Sequence, residues 1–215
     1  MSMHTAHTAR AIGALLLALS AGALQAQVGK SVTVKDANTT AEAEIATMPQ
    51  MTAALAQELV AARPFVTTAA YDAFLGAKLT KEQRTELYPR LFVHVNLNTA
   101  TREEIMLVPG MGPRFLREFL EYRPYKSLAV FRREMGKYVN AEEVARMEQY
   151  VLVPMDLNTA SDEDFMTIPG FGPRMLREFK EYRPYKAIEQ FRREMGKYVN
   201  EKEVARLERY VVIVP

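Results

Sequence analysis

The chain has no cysteine, and only three histidines among its 215 residues. Without cysteine there is no disulfide framework, no thiolate metal site and no cysteine nucleophile. His4 and His7 fall in the first ten residues, which leaves His94, in "LFVHV", as the one imidazole further on. It reads as a packed or exposed boundary residue rather than a general base. Carboxylates are abundant, but no pair stands in an apolar or glycine-shaped setting, and metal-ligand spacing is absent. The chain is therefore expected to be non-enzymatic, with no required cofactor and no small-molecule substrate. A charge excess is missing too, since 28 basic and 26 acidic residues give a net +2.

Long apolar runs are scarce. Residues 11–24, "AIGALLLALSAGAL", follow Arg10 with no acid before it. The run is too short to cross a bilayer comfortably. With the small residues of "AGALQAQ" it reads as a secretory signal peptide over 1–26, cut after Ala23 or Ala26. An uncleaved membrane anchor is the alternative. Residues 27–35 read as a linker. No second apolar span follows, so the processed chain is expected to be periplasmic or secreted, with no membrane insertion.

What is present is a repeat with a period of 60. Asn38-Thr39, Asn98-Thr99 and Asn158-Thr159 fall in register, as do Arg63-Pro64, Arg123-Pro124 and Arg183-Pro184. This divides the chain into copy 1 (36–95), copy 2 (96–155) and copy 3 (156–215). Copies 2 and 3 share about 38 of 60 residues, whereas copy 1 is strongly diverged. The spacing predicts an all-α fold with four short helices per copy. Thr101 with Glu104 forms a capping box, and Ser161 with Asp164 is its analogue. Pro113 suits the first turn of a second helix, and Pro124 disfavours helix at Arg123. Gly136 can end a third helix with positive φ. The stretches "VLVP" and "VVIVP" read as extended connectors.

Residues 108–117, "VPGMGPRFLR", return as "IPGFGPRMLR" at 168–177. Two glycines around one apolar residue allow a tight turn with positive φ. Met111 or Phe171 can then plug inward, and the helix that follows starts at once with free N–H groups. Those groups and the helix dipole suit an anion such as phosphate. Backbone amides carry no base information.

"LNTATREEIMLVPGMGPRFLREFLEYR" and "LNTASDEDFMTIPGFGPRMLREFKEYR" resemble the helix-hairpin-helix family, and in particular the secreted ComEA-type competence proteins that bind double-stranded DNA. The resemblance covers about 36–215 and implies three tandem double helix-hairpin-helix domains of about 60 residues. It implies DNA phosphate contacts at Gly110, Met111, Gly112 and Arg114, and at Gly170, Phe171, Gly172 and Arg174; Arg117 and Arg177 cluster beside them as further candidate phosphate contacts. It also allows a potassium or sodium ion at the hairpin carbonyls. Some family members use the same fold for protein contacts, which leaves an envelope or pilus protein as the alternative partner.

Copy 1 departs from the pattern. "MPQMTAAL" puts Gln50 and Thr52 where the glycines stand, so a positive-φ turn there is expected to be strained. "EMGKYVN" lacks Gly-x-Gly in every copy. By copy the charges are −2 (5 basic, 7 acidic), +1 (9 and 8) and 0 (11 and 11), with no basic excess of the kind that drives DNA affinity. Arg114–Glu118, Arg117–Glu121, Arg174–Glu178 and Arg177–Glu181 stand at i,i+4 and are each expected to contribute about 0.2–0.5 kcal/mol as surface pairs.

Overall fold

The computed structural model describes residues 27–214; the expected signal peptide lies outside them. Copy 1 runs β1 (Lys35–Asp36), α1 (Glu42–Ile45), α2 (Ala53–Ala62), α3 (Thr68–Gly76), α4 (Lys81–Leu87) and β2 (Leu91–Phe92). Copy 2 repeats this as β3 (Val95–Asn96), α5 (Arg102–Met106), α6 (Pro113–Glu121), α7 (Leu128–Met135), α8 (Ala141–Glu148) and β4 (Val151–Leu152). Copy 3 follows with β5 (Met155–Asp156), α9 (Asp162–Phe165), α10 (Pro173–Glu181), α11 (Ile188–Met195), α12 (Glu201–Glu208) and β6 (Val211–Val212). The chain is mostly helical, and none of the described helices is long and apolar enough to cross a membrane.

The helices start where their caps place them. Thr101 accepts from the Glu104 amide while the Glu104 carboxylate accepts from the Thr101 amide, and Ser161 with Asp164 does the same. Asn140 and Asn200 cap α8 and α12 through the amides of Glu143 and Glu203. Gly136 departs from its expectation: its φ is −62, and its value lies in close approach instead, because an added Cβ would meet the Arg132 carbonyl oxygen at 2.9 Å.

The signatures that mark the repeat are the locks of the scaffold. In copy 2 the Asn98 side chain donates to the Tyr125 carbonyl and accepts from the Tyr125 amide, at 2.9 and 2.7 Å. Arg123 Nε and Nη2 donate to the carbonyls of Leu97 and Ala100 at 2.5 and 2.8 Å. Asn158 with Arg183, and Asn38 with Arg63, repeat the arrangement. The stretches expected as connectors are ladder strands. In each copy the first strand pairs in parallel with the last, β1 with β2, β3 with β4 and β5 with β6. A 60-residue unit closed end to end in this way satisfies backbone groups that an unpaired connector would leave open.

The residues expected as a linker are docked. Val28 bridges Leu152 in antiparallel sense, the Gly29 amide donates to the Val151 carbonyl, and the Val153 amide donates to Gln27. Gln149 Oε1 then accepts from the amides of Val32 and Thr33 at 2.9 and 2.8 Å. Copies 1 and 2 share one apolar cluster, while Val28 and Leu152 join the cluster of copy 3. Copy 1 also meets copy 3 directly, through Arg209, which donates to the carbonyls of Val66 and His94 at 2.8 Å each.

Candidate functional site

Gly110 and Gly170 take φ +77 and +71, the left-handed region that glycine enters without strain. Each turn closes on itself, with the Met111 amide bonded to the Val108 carbonyl and the Phe171 amide to Ile168. Met111 and Phe171 plug inward as expected, and Phe171 lies 4.8 Å from Phe179 and 6.2 Å from Phe165, ring centre to ring centre.

The second glycine behaves differently from the first. Gly112 and Gly172 have φ −126 and −137, extended geometry open to most residues, so positive φ is not why glycine stands there. They are the N-caps of α6 and α10, they make no side-chain cap, and an added Cβ would find nothing within 4 Å. Pro113 and Pro173 carry no N–H. The first-turn amides of Arg114 and Phe115, and of Arg174 and Met175, therefore face an open surface at the positive end of a nine-residue helix.

Arg114, Arg117, Arg174 and Arg177 are exposed around these ends. None of the four expected i,i+4 pairs forms. Arg117 instead reaches the neighbouring Glu118 at 3.2 Å, while Arg114 lies over the Tyr138 ring at 5.9 Å. Arg114, Arg174 and Arg177 have no ion-pair partner among the described residues. Hydrogen bonding from Tyr138, then from Arg117, holds the Glu118 carboxyl below the usual range. The "FRREMGK" cations are engaged: Arg132 grips Glu148 at 2.6 and 2.8 Å, Arg192 grips Glu208, and Arg133 and Lys137 both pair with Glu134.

Two arginines that sequence reading missed complete the site. Arg146 Nη1 donates to the Pro109 carbonyl at 2.6 Å, and Arg206 does the same to Pro169. Glu143 and Glu203 steady them at 2.7 Å. A guanidinium thus sits under each hairpin, close enough that a Cβ on Gly110 would meet Arg146 Nη2 at 2.7 Å. A Glu-x-x-Arg spacing resembles any solvated helix pair, so the motif alone does not announce this role. The one available signal is the register, which puts Glu86 of copy 1 at the same place.

Copy 1 makes the same turn by other means. Gln50 adopts φ 64, a strain of about 1–2 kcal/mol for a residue with a Cβ. Its side chain is held by Glu86 at 2.7 Å and by Gln83 at 3.2 Å. Thr52 then caps α2, its hydroxyl accepting from the Leu55 amide at 3.1 Å. Copy 1 therefore fills its own helix end and sets a carboxylate where the other copies set a guanidinium.

Each open hairpin borders copy 1. Met106–Met111 faces Asp72, Arg84 and Tyr88 across a cleft of about 230 Å³. Met166–Phe171 faces Lys30, Lys35, Thr39 and Glu44 across one of about 660 Å³. His94 is packed and lines neither cleft, with Nδ1 3.1 Å from the buried carboxylate of Asp36, a residue that borders the larger one. Comparison with known proteins returns no matching family model, no matching curated protein and no matching solved structure.

Proposed function

We propose that this protein binds the backbone of double-stranded DNA without reading sequence, outside the cytoplasmic membrane, as a non-enzymatic part of DNA uptake. The observation that carries the reading is the pair of uncapped, unobstructed helix ends at Gly112 and Gly172, each beside a free arginine and above a second one that is hydrogen-bonded to the hairpin, Arg146 partly exposed and Arg206 buried. Amides at a helix N-terminus suit a phosphate oxygen, and a nearby guanidinium strengthens the contact. The resemblance to the helix-hairpin-helix family and the apolar run after Arg10 support the same reading and a periplasmic or secreted setting. A monovalent cation at the hairpin carbonyls belongs to the proposal, and it would have to compete with Arg146 and Arg206, which already donate to the Pro109 and Pro169 carbonyls.

Copy 1 supplies the test. Thr52 has φ −112 and ψ 163, close to the −126 and 170 of Gly112, so threonine fits the second-glycine position. Gly112→Thr with Gly172→Thr should leave the fold intact and change stability by no more than a few tenths of a kcal/mol per cap, since glycine is itself a tolerated N-cap. It should weaken the gel shift of random duplex, because each hydroxyl occupies one of the two open amides at its helix end, that of Phe115 or Met175. A double variant that binds duplex like the parent would show that these helix ends are not the contact. The second reading, an envelope or pilus protein partner, is favoured by the engaged "FRREMGK" cations and the balanced charge. It stands if the unaltered protein fails to shift any duplex at 50 mM salt.

A further inference from the structure

The three copies close their ladders alike, but the outer edges of those ladders end differently. On β4 the Val151 carbonyl and Val153 amide, which point away from β3, are taken by Gly29 and Gln27 of the N-terminal segment. Leu152 and Val153 are then 0% and 1% exposed. Sixty residues later, the Val211 carbonyl and Ile213 amide point away from β5 in the same way, and no described backbone segment pairs with them. Val212 is 39% exposed and Val214 58%. A cleft of about 490 Å³ runs along this edge, between Lys186–Ile188 and Val211–Ile213. In copy 2 the residues equivalent to Ala187 and Ile188 are Ser127 and Leu128, and both are buried.

We propose that the β6 edge is a strand-acceptor site for an extended peptide segment of a partner protein, which adds antiparallel to Val211–Ile213. The chemistry of the occupant follows from the segment on β4. Gly29 is required there because a Cβ would lie 1.6 Å from the Glu148 main-chain carbonyl oxygen, and Glu208, sixty residues on, lines the cleft beside β6 in the same register. The occupant is therefore an apolar, β-branched strand carrying one glycine, in the pattern Val-Gly. The chain's own segment is committed to β4, where Gln149 also holds the amides of Val32 and Thr33. Arg209 replaces Gln149 in copy 3 and offers no acceptor, so β6 gives the chain's own segment no reason to leave. Main-chain hydrogen bonds of this kind give affinity, and the pockets for alternate side chains give selectivity. An open edge of valines otherwise invites aggregation.

The test uses the full chain and a labelled synthetic peptide with the sequence QVGKSVTV as the model strand. Fluorescence anisotropy should show saturable one-to-one binding, and the Ile213 amide should gain protection from hydrogen exchange. Ile213→Pro removes the outward amide without touching the β5 pairing, and it should weaken binding at least tenfold. Val212→Lys, which charges the rim, should do the same should the proline disturb the fold. Duplex binding should be unchanged in both variants, since neither residue is near a hairpin. Peptide binding that survives both substitutions would place the peptide elsewhere and overturn the proposal, as would an absence of binding. A protein that doubles its mass through an Ile213-dependent contact would overturn it in favour of edge pairing between two copies.

Discussion

Asp36 shows how one residue can be bound by the whole arrangement. It is buried in copy 1, hydrogen-bonded to His94, with Arg209 of copy 3 nearby. Burial pushes its carboxyl upward, yet the His94 hydrogen bond and the charges of His94 and Arg209 outweigh it, so the net position is below the ordinary 3.8. A carboxyl with a depressed pKa in the fold stabilises above its unfolded value and loses that contribution as pH falls through the folded one. Asp36→Asn should therefore cost on the order of 3–5 kcal/mol at pH 7, as for other broken buried pairs. The deficit should narrow as pH is taken from 5 toward 2. Thermal unfolding of both proteins across that range reads it directly, and a deficit that stays constant would mean the charge is irrelevant. None of this is visible in "LFVHV", because the partners come from positions 36 and 209. The glycines carry a similar lesson. Gly110 and Gly112 look equivalent in "PGMG", but only backbone angles reveal that the first serves the turn and the second serves the open space beyond it.

Helices and their caps were the legible elements, because capping residues act within three positions along the chain. Thr101–Glu104 and Ser161–Asp164 form the reciprocal boxes that their spacing implies. The ladders were not legible, since pairs such as Val95 with Val151 join residues 56 apart and each strand is only two residues long. The segment at 27–34 was least legible of all. Its composition is that of a linker, and its role depends on an edge presented by copy 2. Gly29 is the sensitive point. Gly29→Ala would drive a methyl into the Glu148 carbonyl and unseat the segment, exposing Val28, which is 2% exposed in place. The expected loss is about 1.5–3 kcal/mol, the cost of uncovering one valine. The Val153 amide should then exchange quickly with solvent. Retained protection at Val153 would show that the segment contributes little to covering β4.

At the scale of the whole molecule the charge is nearly balanced, and the structure decides which cations are available. Arg132, Arg133, Lys137 and their counterparts Arg192, Arg193 and Lys197 are all bound to carboxylates. Using them on phosphate would mean breaking those pairs. Around the two hairpins Arg114, Arg174 and Arg177 are free of carboxylates among the described residues, while Arg117 is bonded to the buried carboxylate of its neighbour Glu118. The two open helix ends and these side chains together allow about 2–5 phosphate contacts. Each neutralised phosphate contributes about −0.9 to the slope of log affinity against log salt. The slope for random duplex should therefore be shallow, roughly −2 to −4, with the weak micromolar affinity of non-specific binding. Duplexes of different base composition should bind within a few-fold of one another, because amides at a helix end touch no base edge. Arg114→Ala with Arg174→Ala should flatten the slope by about 1–2 and weaken all duplexes alike, as measured by fluorescence anisotropy between 50 and 200 mM salt. A slope steeper than about −6 would require the "FRREMGK" cations to abandon their carboxylates, and would move the contact surface from the hairpins to α7 and α11.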